Sequence, residues 1–208
     1  VENIFDYLID LAKRKRALYK GKVIGITGSA GKTTLKESLA YFLKKKFTIS
    51  YSEKSYNNEL GVLISLLNLN LNSAYAIFEI GTNNFGEISH LTKLVRPSEI
   101  FITNIQSTHL ENFKTKNNIA KEKSNIFLSK NNDQKRKLYL NLISKSENMI
   151  LNKANKEKNL KVVYINKSSN KFFIKKIINK KNFYQVIFSI KKKLVILEVK
   201  SLIMFRLI

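Results

Sequence analysis

The sequence predicts an α/β fold with a mostly parallel sheet flanked by helices and a small antiparallel sheet near the C-terminus. Short apolar runs alternate with stretches of helical periodicity from residue 22 to about residue 165. Strands that are apolar on both faces and alternate with helices are typical of a parallel sheet covered on both sides. After about residue 168, three apolar runs are separated only by short basic turns, which is typical of antiparallel strands.

The element boundaries follow from apolar spacing and from capping residues. Asn58 is expected to cap its helix, and Pro97 ends the helix before it. Helices are predicted over residues 3–16, 32–45, 58–69, 86–95, 118–128 and 133–147. Strands are predicted over residues 23–27, 47–52, 75–80, 100–104, 149–152, 162–165, 172–178, 183–190 and 194–199, with turns at 180–181 and 191–192.

The chain is strongly basic and has no cysteine. Its 208 residues carry 38 Lys and Arg against 15 Asp and Glu, a net charge of +23, and most of the excess lies after residue 110. The absence of cysteine excludes disulfides, thiolate metal sites and cysteine nucleophiles. The lysine runs are not interleaved with aromatic residues as in single-strand binders, so compositional drift is preferred to a nucleic-acid surface. No apolar run reaches the ~18 residues of a membrane span.

A glycine-rich turn, Gly28-Ser29-Ala30-Gly31-Lys32-Thr33-Thr34, lies between a predicted strand and a predicted helix. Only glycine lets the main chain come close enough for several N–H groups to point at a phosphate. Lys32 would add charge for the β- and γ-phosphate oxygens, and Thr33 a hydroxyl for Mg²⁺. The full P-loop pattern has a glycine where this chain has Ile26, and an ordinary strand–turn–helix connection is the alternative. The Gly-Lys-Thr-Thr core favours a phosphate site on a P-loop-type sheet.

The same run resembles the ATP-binding loop of the Mur ligases, which includes a shortened Gly-x-x-Gly-Lys-Thr form without the first glycine. Four later segments are similar to Mur ligase segments and follow in the same order: residues 56–62, 79–88, 104–113 and 120–127. The Lys36-Glu37 pair and the string that begins at Glu79 are most similar to the MurF type. The alternatives are MurE-like and folylpolyglutamate-synthase-like ligases. A different P-loop NTPase would have a strand-ending aspartate, which is not seen.

This resemblance implies an ATP-dependent ligase of peptidoglycan biosynthesis in the cytoplasm, with ATP and Mg²⁺ as cofactors. ATP would phosphorylate the terminal carboxylate of UDP-N-acetylmuramoyl-tripeptide, and the amino group of D-alanyl-D-alanine would attack the acyl phosphate. Those two substrates are the expected partners. Nucleic acid, membrane insertion and a second subunit are not expected.

The resemblance also assigns residues to the ATP and metal sites. The glycine-rich turn and Asn152 would bind ATP, the latter as an asparagine near the adenine at the end of a strand. Thr33 and Glu79 would hold Mg²⁺ between the β- and γ-phosphates, and His109 would hold a second Mg²⁺. The residues implied to bind ATP are Gly28, Ser29, Ala30, Gly31, Lys32, Thr33, Thr34 and Asn152.

Three further residues complete the implied site. Lys123, rather than Lys121, would be carbamylated by CO₂ and would support the second Mg²⁺. Asn57 and Asn58 would contact the substrate, with turn formation and helix capping as the alternative roles. The implied catalytic residues are Lys32, Glu79, His109 and Lys123.

The chain departs from the family pattern at Asn125, where Glu is usual, and at Ala154, where an acidic residue is usual. These departures keep open a non-catalytic basic fragment that binds nucleotide or nucleic acid. By resemblance, residues 1–20 would be a linker helix from an N-terminal domain. Residues 21–208 would be a central ATPase domain without its last helices, and a C-terminal domain would be absent. Such a fragment is expected to bind Mg-ATP weakly and to ligate little.

Overall fold

The computed structural model of the chain describes residues 3–52, 54–128, 134–141, 145–165, 172–181, 183–190 and 193–199. The helices among them are α1 (Ile4–Leu18), α2 (Lys32–Lys44), α3 (Glu59–Leu67), α4 (Glu87–Val95), α5 (Leu110–Phe113), α6 (Lys116–Lys123), a 3-10 helix (Ser124–Phe127) and α7 (Lys145–Ala154). The strands are β1 (Lys22–Thr27), β2 (Ile49–Tyr51), β3 (Tyr75–Glu79), β4 (Glu99–Ile102), β5 (Arg136–Asn141), β6 (Leu160–Ile165), β7 (Phe172–Asn179), β8 (Tyr184–Ile190) and β9 (Lys193–Val199).

Six strands form a parallel sheet in the order β2-β3-β1-β4-β5-β6, and every neighbouring pair is parallel. The predicted fold class is therefore confirmed. Strand β1 lies between β3 and β4, so the segments that follow these three strands meet at one edge of the sheet. In open parallel sheets this edge, at the carboxyl ends of the strands, is where ligands bind.

The sheet is covered differently on its two faces. One face carries a large apolar core beneath α1, α3, α4, α6 and α7, while the other carries a smaller cluster beneath α2. Strand β1 contributes to both because its side chains alternate: Val23 joins the large core, and Ile24 and Ile26 join the small one. Helix α2 is thus held over β1 and β3, directly after the glycine-rich turn.

Helix α1 is packed onto this domain. The buried Arg16 guanidinium donates from Nε to the carbonyl of Val95 at 2.6 Å and from Nη2 to that of Arg96 at 2.9 Å. Burial first, and then the charge of Arg96, lower the pKa of Arg16 to about 10. The Lys15 ammonium also donates to the Leu67 carbonyl at the end of α3. The predicted linker helix is therefore anchored at the C-terminal ends of two other helices.

The predicted capping signals are confirmed. Asn58 Oδ1 accepts a hydrogen bond from the Gly61 N–H at 2.9 Å and so begins α3. Helix α4 ends at Val95, and Arg96 adopts a left-handed conformation before Pro97. At the start of α3 the Asn58 side chain bonds to the main chain, and after α4 the Pro97 ring prevents a further helical turn.

Two predicted elements are wrong. Within residues 133–147, predicted as a helix, Arg136–Asn141 forms β5, and residues 149–152, predicted as a strand, lie inside α7. Leu138 and Leu140 alternate with polar neighbours and are both buried in the large core, which is strand spacing. Ile150 and Ala154 are buried four residues apart, which is helical spacing.

The smaller sheet is antiparallel in the order β7-β8-β9, as predicted. The turn at Lys180 is present, with its N–H donating to the Phe183 carbonyl at 2.8 Å. The predicted turn at 191–192 lies outside the described residues. No helix in the described ranges has both the length and the apolar character needed to cross a bilayer.

Candidate functional site

The glycine-rich turn lies where it was predicted, between β1 and α2, and two of its glycines have positive φ. Gly28 has φ +144°, and a Cβ there would lie 1.9 Å from Thr103 Oγ1. Gly31 precedes α2 with φ 79°. A residue with a side chain would meet steric conflict at the first position and backbone strain at the second. The turn therefore requires glycine at both places.

Asn104, which follows β4, fixes the turn. The N–H of Ser29 donates to the Asn104 carbonyl, and the N–H of Ala30 to Asn104 Oδ1, each at 3.0 Å. The Ser29 hydroxyl also accepts from the Gln106 N–H at 2.9 Å. The first turn of α2, from Lys32 through Thr34, supplies the N–H groups that have no partner within a helix. Sequence reasoning gave Asn104 no role, although a polar residue at the end of a predicted buried strand was a signal for one.

Glu79 is the centre of a buried polar cluster. It ends β3 and is only 1% exposed. One carboxylate oxygen accepts from Thr33 Oγ1 and the other from Asn57 Nδ2, both at 2.9 Å. Ser55 Oγ lies 2.9 Å from Thr33 Oγ1 on the other side. The structure thus brings together three of the residues that the sequence predicted and adds Ser55.

Lys32 lies beside this cluster. Its Nζ donates to the Gly28 carbonyl at 3.0 Å. Burial lowers its pKa, and the Glu79 carboxylate opposes that shift. A cation and a carboxylate therefore face the same end of the glycine-rich turn.

Lys123 is nearly inaccessible at the end of α6, with 3% of its surface exposed. Burial is the largest cause that lowers its pKa to about 7; the Lys32 charge lowers it further, and Glu122 raises it. The interaction with Lys32 links Lys123 to the glycine-rich turn. At neutral pH a substantial part of this lysine is the neutral, nucleophilic amine.

The departure at Asn125 has a structural counterpart. Asn125 Nδ2 donates to Glu122 Oε2 at 3.0 Å, and Glu122 Oε1 accepts from the Ile88 N–H at the start of α4 at 3.0 Å. A buried carboxylate thus lies next to Lys123, but it comes from position 122 rather than position 125. Ala154, the other departure, is fully buried in the core on α7.

No hydrogen bond or ion pair among the described residues joins the His109 side chain to any of these groups. It precedes α5 with φ 53°, its side chain is 45% exposed, and Nδ1 lies 3.7 Å from a Glu111 carboxylate oxygen. Within the described part of the chain, no three His, Asp or Glu side chains are grouped closely enough to hold a metal ion. Thr33 and Glu79 are therefore hydrogen-bonded to each other, while among the described residues neither of them forms such a bond with His109.

Asn57 and Asn58 line one cavity of about 590 Å³. Asn57 also accepts from the Gly81 N–H through its carbonyl, at 2.8 Å, and Asn58 is the cap of α3. His90 lines the same cavity and lies 2.6 Å from a Glu59 carboxylate oxygen. Because Asn57 contacts Glu79, this cavity adjoins the polar cluster.

The strand expected at Asn152 is not formed. Asn152 is exposed within α7, not at the end of a strand, and its role in binding ATP stays a prediction. The strand in this part of the chain is β5, which ends at Asn141 and pairs in parallel with β4. Asn141 therefore lies at the carboxyl edge of the sheet.

The chain is similar in sequence to named ligases. It is 43% identical over 127 residues to the UDP-N-acetylmuramoyl-tripeptide–D-alanyl-D-alanine ligase of Rickettsia prowazekii, covering 61% of this chain and 28% of that protein. Identity to the Escherichia coli enzyme of the same name is 36% over 118 residues, covering 57% and 26%. The chain thus spans little more than a quarter of these relatives.

Solved structures are similar over nearly the whole chain. MurF from Acinetobacter baumannii has a TM-score of 0.81 and 25% identity, with 96% of this chain and 43% of that chain covered. MurF ligase from Thermotoga maritima in complex with ADP has a TM-score of 0.79 and 26% identity, with 95% and 45% covered.

The family description agrees with the geometry. Residues 26–205 match the Mur ligase middle domain, and this range holds the glycine-rich turn, Glu79 and Lys123. With the matching fold and the buried cluster behind the turn, the match shows that the chain belongs to the Mur ligase family.

Proposed function

We propose that this chain is the ATP-binding part of a ligase that joins D-alanyl-D-alanine to UDP-N-acetylmuramoyl-tripeptide. The names of its relatives give the substrates. The observation that carries the proposal is the convergence of Lys32, Thr33, Glu79 and Lys123 at the end of the glycine-rich turn. Phosphoryl transfer needs mainly positioning and charge neutralisation, and this cluster provides both.

The turn and α2 would hold the terminal phosphates of ATP. The N–H groups of the first turn of α2 and the positive end of its helix dipole favour an anion at this place. Lys32 adds a full charge from the same side. The Asn104 contacts keep the turn in shape without using the N–H groups of Lys32, Thr33 and Thr34.

Mg²⁺ fits the Thr33–Glu79 pair. A hydroxyl and a buried carboxylate 2.9 Å apart are hard oxygen ligands, and Mg²⁺ usually binds one or two such groups together with substrate phosphates. When bound, the ion neutralises charge on the phosphates. Asn57 orients the carboxylate through its other oxygen. By family resemblance, His109 would hold the second Mg²⁺.

Lys123 is proposed to react with CO₂. The neutral amine forms an N–C bond to CO₂ carbon, one C=O electron pair moves onto oxygen, and a proton leaves to solvent. The pKa of about 7 supports this step because it makes the amine available at neutral pH. The carbamate oxygens would support the second Mg²⁺.

The tripeptide end is proposed to enter the cavity beside Asn57 and Asn58. Its carboxylate would take the γ-phosphoryl group of ATP, and the amine of D-alanyl-D-alanine would displace phosphate to form the amide. This chain's residues hold the phosphates, orient the carboxylate and neutralise charge. The whole protein is proposed to be a cytoplasmic monomer with a domain on either side: residues 1–20 would link to the first, and residues 21–208 would be the central ATPase domain.

Isothermal titration with a non-hydrolysable ATP analogue and Mg²⁺ tests the nucleotide site. We expect weak binding by the wild-type chain and a loss of about 10- to 100-fold in Lys32→Ala, because a charged phosphate contact is removed. Lys45→Ala, at the other end of α2, is the matched control and should bind normally. Equal heats for the wild type and Lys32→Ala would defeat the proposal.

A further inference from the structure

The loop between β2 and α3 is attached to α2 by a lysine that the mechanism does not use. Lys36 is completely buried, with 0% exposed surface. Its Nζ donates to the Ser52 carbonyl at 2.6 Å and to the Lys54 carbonyl at 2.8 Å, and it lies 3.2 Å from Glu37 Oε1. An ammonium has three N–H donors, so each of them has an oxygen partner.

The Lys54 carbonyl is the centre of this attachment. Besides Lys36, it accepts from Ser52 Oγ at 2.9 Å and from the Tyr56 N–H at 2.8 Å. The loop is therefore folded around one carbonyl oxygen, which the buried ammonium holds from the side of α2.

The same loop carries two contacts to the proposed Mg²⁺ ligands. Ser55, directly after Lys54, lies 2.9 Å from Thr33 Oγ1, and Asn57 donates to Glu79 Oε1 at 2.9 Å. Lys36 lies one turn after Thr33 on α2. The lysine thus fixes both the helix that carries one ligand and the loop that orients the other.

We propose that Lys36 is a positioning residue that sets the geometry of the Thr33–Glu79 pair through residues 54–57. The inference rests on the proposed function, since it assigns Lys36 to Mg²⁺-dependent nucleotide binding. Lys36 does not face the phosphates, because its N–H groups are directed at loop carbonyls. Its loss should therefore reduce the effect of Mg²⁺ on nucleotide binding, while binding without Mg²⁺ changes little.

The test compares the affinity for a non-hydrolysable ATP analogue with and without Mg²⁺ by calorimetry, at a temperature where all variants are folded. In Lys36→Met we expect the gain in affinity from Mg²⁺ to fall about tenfold, the equivalent of about 1.4 kcal/mol. Lys36→Arg should recover part of it. Lys15→Met is the matched control, because Lys15 also donates to a main-chain carbonyl, but to that of Leu67 at the C-terminal end of α3 rather than to the loop before α3.

An unchanged Mg²⁺ effect in Lys36→Met, or an equal loss in Lys15→Met, would overturn the proposal. If Lys36→Met does not fold, Ser55→Ala removes the loop contact to Thr33 and should lower the Mg²⁺ effect by about threefold, about half as much in free energy. A wild-type value in Ser55→Ala would then count against it.

Hydrogen exchange separates this proposal from the proposed function. If the wild type binds no nucleotide, the proposed function fails. Amide exchange at residues 54–57 that accelerates in Lys36→Met by more than exchange in the core strands would still show that the lysine holds the loop, and no such excess there would refute it.

Discussion

Two buried lysines on either side of the glycine-rich turn have opposite surroundings. Lys36, on the β2–α3 side, directs its three N–H donors at Ser52, Lys54 and Glu37 oxygens. Lys123, on the α6 side, is 3% exposed and close to the charge of Lys32, and none of the described residues accepts a hydrogen bond from its Nζ. Burial alone therefore does not decide what a lysine does.

The difference lies in what replaces water around each amine. Removing an ammonium from water is costly, and acceptor oxygens offset that cost only when they are close and well directed. Lys36 has such oxygens and acts as an anchor. Lys123 is buried without them, so burial favours its neutral form; the Lys32 charge adds to this effect, the Glu122 carboxylate opposes it, and the pKa falls to about 7. We infer that one lysine is built for structure and the other for reactivity.

The largest expected effect is on stability at Lys36. Lys36→Met leaves two loop carbonyls without their buried donor, so we expect the free energy of unfolding to fall by about 3 kcal/mol. Urea denaturation followed by circular dichroism measures it. If the free energy of unfolding of the variant lay within about 0.5 kcal/mol of the wild-type value, as for an ordinary surface substitution, Lys36 would not be the anchor that the contrast with Lys123 requires.

Lys123→Met should change stability in the opposite direction. The folded pKa of about 7 lies below the ordinary value of 10.5. Between these values the unfolded chain binds more protons, so the lysine's penalty is full below about pH 7 and disappears as the pH rises to about 10.5. We expect the variant to be about 2 kcal/mol more stable at about pH 6, with no advantage above about pH 10.5.

Urea denaturation across this pH range provides the check, and Lys121→Met is the control, since Lys121 is exposed two residues earlier. A gain in Lys123→Met that does not depend on pH would indicate better packing rather than relief of a buried charge. A loss of stability at about pH 6 would contradict the inferred environment.

The parts predicted from sequence were those that depend on neighbouring residues. Gly28 and Gly31 imply a backbone that other residues avoid, and Asn58 caps the helix that begins directly after it. Asn152 was placed in a strand because Met149–Leu151 is apolar without a clear period, and only the buried core distinguishes α7 from a strand.

Long-range features were beyond sequence reasoning for a different reason. The environment of Lys123 depends on burial of the end of α6 and on the charge of Lys32, which is distant in sequence, and the role of Lys36 depends on a loop about sixteen residues away. Among so many lysines, no local pattern distinguishes a buried amine from a solvated one. The resemblance selected Lys123, and it had associated Lys36 only with a subtype.

The smallest expected effect is chemical and leaves the fold unchanged. With ¹³C-labelled bicarbonate at about pH 8, carbon NMR should detect a carbamate signal in the wild type, because the Lys123 amine is then mostly neutral. The signal should persist in Lys121→Met and Lys36→Met and vanish in Lys123→Met. Lys36 should give no carbamate, since each of its donors is directed at an oxygen. A signal that survived Lys123→Met and disappeared with Lys36→Met would reverse the two roles. The reactive lysine would then be the hydrogen-bonded one, and a lack of acceptor oxygens would not explain reactivity.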